Sequence, residues 1–259
     1  MVLRSPGMND VPLVSIVTPV KNGARFIAEN LASVRGQDHP RIEHIVVDGG
    51  STVGTLDILR GAAGIEWTSE PDGGMYDAIG RGLRRARGEI VAYQNADDRY
   101  VVPDAVSSAV AYLREHPAVD VVYGDFRFLE EDGRPAERRP WRVRPFDVRA
   151  LWHGNFIPPH STFLRRSAIE DGLYPDPTLQ YPGDWDWYLR LAQAGRVFAH
   201  LDRVLSEFRL HPRSKTRTVG FATKLREWRR VCRKNGVNLA ALLWHALLWA
   251  PLRRRLGLR

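Results

Sequence analysis

The chain predicts an α/β fold with a mainly parallel, Rossmann-like sheet flanked by helices, and three observations carry that expectation. Apolar runs of strand length alternate with helix-length amphipathic stretches as far as residue 115. Acidic residues close two of those runs: Asp48 follows Ile45-Val46-Val47, and Asp97-Asp98 follow Tyr93-Gln94-Asn95-Ala96. The 259 residues suffice for a sizeable core in one large domain. Strands buried on both faces read as continuous apolar runs, and alternation with helices favours βαβ units.

The elements follow in order. Residues 13–19 (LVSIVTP) read as a buried strand and 24–35 as the helix after it. A second buried strand covers 42–48, a helix 55–61, and a short strand 65–68 before a Pro71-Asp72-Gly73-Gly74 turn. Residues 75–87 have helical spacing, with Ile79, Leu83 and Ala86 on one side. Residues 89–94 form the strand that ends at the acidic tip. A helix over 104–115, a strand over 119–123 and a hairpin over 126–143 around Glu131-Asp132-Gly133 come next. Residues 151–159 read as irregular, and 184–194 as a helix with Asp184 or Asp186 suited to its first turn.

Composition narrows the function classes. A hydrophobic fraction of 44% and a charged fraction of 26% are those of a globular protein. The one cysteine, Cys232, excludes an intramolecular disulfide framework and a multi-cysteine zinc site, and fits a reducing, cytoplasmic compartment. Net charge is +8, concentrated late: from Arg203 onward 15 Lys/Arg face 2 Asp/Glu. Residues 1–11 are polar and do not read as a secretory leader. The longest apolar run, 239–250, is shorter than the ~20 residues of a spanning helix.

That apolar run is flanked by cations, Lys224 to Lys234 before it and Arg253-Arg254-Arg255 after it. Tryptophans beside an apolar segment between cations suit peripheral insertion at an anionic membrane, on its inner face. The other reading is a terminal helix pair packed on the body or on a second copy of the chain. No nucleic-acid motif accompanies the basic tail, so no nucleic-acid partner is expected.

Three acidic stations carry the candidate chemistry. Asp48 ends a strand, where ligands of open α/β sheets bind, although an Asp there also caps a Gly49-Gly50 turn. Neither G-x-G-x-x-G nor G-x-x-x-x-G-K-[ST] occurs, so a metal is expected to offset diphosphate charge. Asp97 and Asp98 suit Mg²⁺ or Mn²⁺, which bind through one or two acids plus substrate phosphates. Asp184, between Tyr181-Pro182-Gly183 and Trp185, is placed for partial desolvation, which raises a carboxylate toward general-base range. It also suits helix capping, and Asp186 competes with it. His211 lies among Arg209 and Arg213, cations able to meet a diphosphate.

Together these stretches resemble the family-2 glycosyltransferases of the GT-A fold. The matching segments are VSIVTPVKNGARFIAENLASV, IEHIVVDGGSTVGT, SEPDGGMYDAIGRGLRRARGEIVAYQNADD, HSTFLRRSAIEDGLY and GDWDWYLRLAQAG, in the family's order across 13–213. SEPDGGMYDAI is similar to the subgroup that builds bacterial surface polysaccharides and glycolipids. The resemblance implies a nucleotide-diphosphate sugar donor held by Thr18, Pro19, Val20, Asp48, Asp72, Arg81, Asn95 and Asp97. It implies a Mg²⁺ or Mn²⁺ at Asp97 or Asp98 with His211, and Asp184 as base of an inverting hexosyl or deoxyhexosyl transfer. The acceptor implied is a glycolipid or polysaccharide hydroxyl. Two departures stand out: Asn95 opens the DxD-type triplet, and Gly80 stands where relatives carry Asn. They are the arguments for the alternative of a non-catalytic nucleotide-sugar-binding protein, and the presence of Asp97, Asp98 and Asp184 argues against it. The expected division is a flexible tail 1–12, a domain 13–214 and a C-terminal helical region 215–259 that also offers a homo-oligomer contact. Within the domain, 13–103 is the nucleotide-binding half and 104–214 the acceptor half.

Overall fold

A computed structural model gives the structure of the protein and describes residues 11–52, 54–137, 141 and 143–240. Among the described residues, eight strands form one sheet, in the order β3 (Glu66–Ser69), β2 (Ile42–Asp48), β1 (Val14–Val20), β4 (Ile90–Tyr93), β7 (Thr162–Arg165), β6 (Val121–Leu129), β8 (Phe198–Arg209) and β5 (Arg99–Tyr100). The first half is the parallel unit the apolar runs predict: β1 (Val14–Val20) lies between β2 (Ile42–Asp48) and β4 (Ile90–Tyr93), and β3 (Glu66–Ser69) pairs with β2. All seven residues of β1 and all four of β4 are buried. Their side chains alternate between faces, as strand geometry requires. Val14 and Ile16 join the core beneath α4 (Ala105–Glu115), whereas Val17 joins the core beneath α3 (Met75–Arg85) and α6 (Gly183–Gln193). Helix α1 (Ile27–Arg35) and α2 (Thr55–Gly61) cover the β2 end through Ile27, Leu31 and Leu59.

The second half turns the sheet mixed. β7 (Thr162–Arg165) runs antiparallel to both β4 and β6 (Val121–Leu129). β8 (Phe198–Arg209) is parallel to β6, and the two-residue β5 (Arg99–Tyr100) is antiparallel to β8. Among the described residues, the hairpin expected over 126–143 pairs at Leu129↔Pro135 and Phe126↔Trp141, and β6 itself extends to Leu129. Residues 151–159, expected as irregular, begin with the last turn of α5 (Val148–Trp152), which is capped by the Asp147 carboxylate accepting the Arg149 N–H at 2.9 Å.

After the short α7 (Lys215–Thr218), the basic stretch is the helix α8 (Phe221–Asn235). It closes at Gly236 in the left-handed region, φ 66, a conformation that favours glycine. Its inner face is docked: Val231 and Cys232 enter the main core, and Glu227 accepts the backbone N–H of Tyr181 at 3.0 Å. Asp186 of α6 accepts from Lys234 Nζ at 3.0 Å and Asn235 Nδ2 at 2.9 Å. The apolar 241–250 stretch and the tail 1–10 lie outside the described residues. Among the described residues, no helix is long and apolar enough to cross a membrane.

Candidate active site

The carboxyl ends of β1 and β4 and the start of α6 border one cavity of about 1830 Å³. Typical small-molecule sites occupy about 300–1,000 Å³, so this one has room for two substrates together. Pro19, Val20, Asp72, Asn95, Asp97, His211 and Asp184 all line it. Thr18, Asp48, Arg81 and Asp98 do not, each for a visible reason.

The acidic turn after β4 is held from several sides. The buried Asn30 side chain donates through Nδ2 to the carbonyls of Asn95 and Asp98, both at 3.0 Å. Arg209, 1% exposed, donates through Nε to the Asp97 carbonyl at 2.9 Å and through its backbone N–H to Asp98 Oδ1 at 3.0 Å. Asn95 Nδ2 donates to Asp98 Oδ2 at 3.0 Å. Adjacent turn residues therefore point opposite ways. The Asp98 carboxyl faces inward and is pushed well above the usual carboxylate range, first by burial and then by the neighbouring Asp97 charge. Asp98, expected as a metal residue, is 1% exposed, and both of its oxygens accept hydrogen bonds that brace the turn. The departure at Asn95 has the same cause: its amide ties down Asp98.

Asp97 points the other way. Its carboxylate is one-third exposed, and Oδ2 sits 2.8 Å from His211 Nε2. His211 packs on Phe26 with ring centroids 4.9 Å apart, and its buried Nδ1 has no partner among the described residues. One hard oxygen and one imidazole nitrogen at the cavity edge fit a Mg²⁺ or Mn²⁺ whose other ligands come from substrate phosphates and water. Among the described residues no cluster of three or more His, Cys, Asp or Glu forms a complete protein cage. The cations Lys21, Arg213 and Lys215 line the same cavity; Arg213 is expected there beside His211, whereas Lys21 and Lys215 are not singled out from sequence.

Asp48, expected to hold the base, has no exposure and serves its own turn. Its Oδ2 accepts from Gly50 N at 3.1 Å, Ser51 N at 2.8 Å and Ser69 Oγ at 2.6 Å, and Ser51 Oγ bonds Oδ1. The capping reading of Asp48 describes what the structure contains. Asp72 is the carboxylate that reaches the cavity from this side, seated over Gly49; a Cβ at Gly49 would overlap it. Thr18 is fully buried and hydrogen-bonded to Asn30 and His44. Arg81 is half-buried on α3, where it pairs with Asp77 at 2.8 Å. Asn22, at φ 53 the one described non-glycine residue with positive φ, links this edge together: its Oδ1 accepts the Thr52 N–H at 2.9 Å. Asn tolerates that conformation better than most residues.

Across the cavity, Asp184 is the second residue of α6 and is partly buried. Pro182 is the N-cap and makes no side-chain cap, so the expected capping aspartate is displaced into the first turn. Asp184 Oδ1 accepts the Trp185 N–H at 2.9 Å and Tyr76 OH at 3.3 Å, while Oδ2 accepts Asn155 Nδ2 at 3.0 Å. Burial raises its carboxyl above the ordinary range, against those three hydrogen bonds, which lower it. Tyr76 is anchored by donating to the Tyr181 carbonyl at 3.0 Å, and its ring fills the space where a Gly183 Cβ would be. Asp186 faces away, fully buried with Arg190, Lys234 and Asn235. The two acids two residues apart thus divide cleanly: one at the cavity, one fastening α8.

Comparison with known proteins agrees with this architecture. Residues 15–173 match the family description "Glycosyl transferase family 2". An uncharacterized glycosyltransferase of Mycobacterium tuberculosis is 35% identical over 165 residues, 62% of each chain, so the match spans less than two thirds of that relative. The putative teichuronic acid biosynthesis glycosyltransferase TuaG of Bacillus subtilis is 32% identical over 204 residues, 77% of this chain and 79% of that one. Among solved structures, S. aureus TarS residues 1–349 in complex with UDP-GlcNAc superimposes with TM-score 0.69 at 20% identity, covering 86% of this chain and 66% of that one. The mannosyltransferase PcManGT of Pyrobaculum calidifontis, in complex with GDP-Man and Mn²⁺, gives 0.66 at 21% identity, covering 91% and 70%. These two show the fold alone, which is that of GT-A enzymes. The matched span and the identity to TuaG establish that this chain belongs to glycosyl transferase family 2.

Proposed function

We propose that the protein transfers a sugar from a nucleoside-diphosphate donor to a hydroxyl of a glycolipid or polysaccharide precursor, with inversion. The observation that carries the reading is a cavity lined on one side by the Asp97–His211 pair and on the other by the Asp184 carboxylate. A base able to take a proton, set across a shared space from a phosphate-compatible edge, suits single displacement. The acceptor hydroxyl gives its proton to Asp184 as its oxygen bonds the anomeric carbon. The bond from that carbon to the diphosphate oxygen breaks, and its electron pair leaves with the nucleoside diphosphate. Tyr76, Asn155 and the Trp185 N–H hold the Asp184 carboxylate in place. Asp97 and His211 would hold a Mg²⁺ or Mn²⁺, which when bound offsets the charge of the departing diphosphate. Lys21, Arg213 and Lys215 add positive charge at the same edge.

The test is a thermal-shift screen of UDP, GDP, UDP-GlcNAc and GDP-Man with and without Mn²⁺, since a ligand of the native state raises its melting temperature. Metal-dependent stabilisation that disappears in Asp97→Ala supports the reading; equal shifts with and without metal in both proteins refute the metal site. Sugar transfer by the unaltered enzyme separates this reading from a non-catalytic binder.

We also propose a peripheral contact of α8 with an anionic membrane. Arg226, Arg229 and Arg233 share one exposed face of the helix and have no ion-pair partner among the described residues. Changing all three to Gln should abolish co-sedimentation with phosphatidylglycerol vesicles at low salt. Unchanged co-sedimentation contradicts the contact.

A further inference from the structure

His160 is a buried polar residue of the cavity wall that the reading above leaves unused. It lies in a 3₁₀ turn, Pro159–Ser161, leading into β7. Its backbone is fixed by its neighbours: Ser161 Oγ donates to the Asp125 carbonyl at 3.1 Å, and Thr162 Oγ1 to the Pro158 carbonyl at 2.7 Å. The imidazole meets Phe126 edge-on, with centroids 4.9 Å apart and planes at 89°, and leans over Phe208 at 5.4 Å. It is 4% exposed and lines the cavity.

Both ring nitrogens are buried without a hydrogen-bond partner among the described residues. Asp98 Oδ2 is 3.9 Å from Nδ1, beyond hydrogen-bond reach. Buried polar groups in native proteins nearly always have partners, so two unmet nitrogens on one wall ring ask for a ligand. Burial lowers this histidine to about 3 and keeps the ring neutral. A neutral imidazole offers one donor and one acceptor. A phosphate or carboxylate oxygen could meet only the N–H, whereas a hydroxyl can either accept from the N–H or donate to the bare nitrogen.

Position selects which hydroxyl. His160 lies against the Asp97–Asp98 turn, the turn that presents Asp97 to the diphosphate in the proposed reading, on which this inference rests. The group attached next to a diphosphate at that edge is the donor's own sugar. Phe126 and Phe208 border His160 and the cavity with apolar surface suited to the C–H face of a pyranose. We propose that His160 is a specificity-determining residue that hydrogen-bonds a hydroxyl of the transferred sugar, with Phe126 and Phe208 beneath the ring.

The test uses the full chain and the sugar nucleotide, among UDP-glucose, UDP-GlcNAc and GDP-mannose, that binds most tightly by calorimetry. His160→Phe keeps the ring volume and removes both nitrogens. It should weaken the sugar nucleotide about tenfold or more while leaving the parent UDP or GDP within about twofold, because the lost contact belongs to the sugar. His160→Gln, which retains a donor and an acceptor, should recover most of that loss. Monodeoxy donors need no mutation: one of them should bind the unaltered protein about tenfold more weakly, and lose nothing further against His160→Phe. Equal binding of sugar nucleotide and parent nucleotide changes in His160→Phe, or every monodeoxy donor binding as well as its parent, would overturn the inference. A loss confined to the acceptor KM would also overturn it. Failure of the unaltered protein to bind any sugar nucleotide would instead defeat the proposed function, and the inference with it.

Discussion

Arg209 is the side chain whose removal the structure makes most consequential for the acidic turn. Its guanidinium donates to the carbonyls of Asp97 at 2.9 Å and Glu131 at 3.1 Å, and to Glu29 Oε2 at 2.7 Å, with its plane 4.7 Å over Phe26. Arg209→Met keeps the apolar stem and deletes all of these. Two carbonyls left without donors cost about 1 kcal/mol each. The Glu29 bond is discounted to about 0.5 kcal/mol, because Glu29 is 40% exposed and water replaces the partner. The cation–π contact adds roughly 0.5 kcal/mol. The expected loss is therefore about 3 kcal/mol, read as a lowered urea midpoint with unchanged slope. Arg209→Lys should recover only part of it, since an ammonium cannot reach three diverging acceptors with the planar fork. The two variants should also lose Mn²⁺-dependent nucleotide stabilisation, because Asp97 is carried by the loosened turn. A loss below about 1 kcal/mol for Arg209→Met would refute the reasoning and mean that water serves those carbonyls equally well.

Further outcomes follow from the opposite walls. Asn155→Ala removes a hydrogen bond that lowers the Asp184 carboxyl, so the acid limb of kcat/KM should move to higher pH; an unmoved limb contradicts the contact. The sign is that of a base used ionised: burial raises Asp184, so activity is lost as pH falls through a value above the ordinary carboxylate range. The same raised group makes the folded state favour protons, so its stabilising contribution is full below the unfolded value and is lost as pH rises through the folded one. Gly49→Ala places a methyl against the Asp72 carboxylate. It should weaken nucleoside-diphosphate binding about tenfold with little change in melting temperature, since a side-chain end can swing aside; unchanged affinity would remove Asp72 from the site.

What the sequence discloses here is residue type and order, and what it withholds is direction. The strands β1, β2 and β4 are legible because burial on both faces leaves unbroken apolar runs. β8 is not: its Asp202 and Arg203 are exposed at a register shift against β6, which breaks the apolar pattern. α8 is readable as a basic helix, yet the buried stripe of Glu227, Val231 and Cys232 that docks it is hidden among the arginines. Asp97 and Asp98 look equivalent in a row of letters, but successive residues on a tight turn point apart. Asp48 likewise has the chemistry of a ligand and the hydrogen bonds of a cap. Asn30 is invisible as a site residue, and Arg209, expected to meet a diphosphate, instead braces the turn, because their partners are backbone carbonyls, 112 residues away for Arg209 and Asp97 and 65 for Asn30 and Asn95, which no side-chain motif marks.

The most direct measurement is the turnover of Asp184→Asn beside its nucleotide affinity. The amide keeps the shape and removes the proton acceptor, so kcat should fall about 10²–10⁴-fold. The dissociation constant for the nucleoside diphosphate with Mn²⁺ should stay within about twofold, as among the described residues no hydrogen bond joins Asp184 to the Asp97–His211 pair. Turnover within a few-fold of the unaltered enzyme would contradict a base at this position.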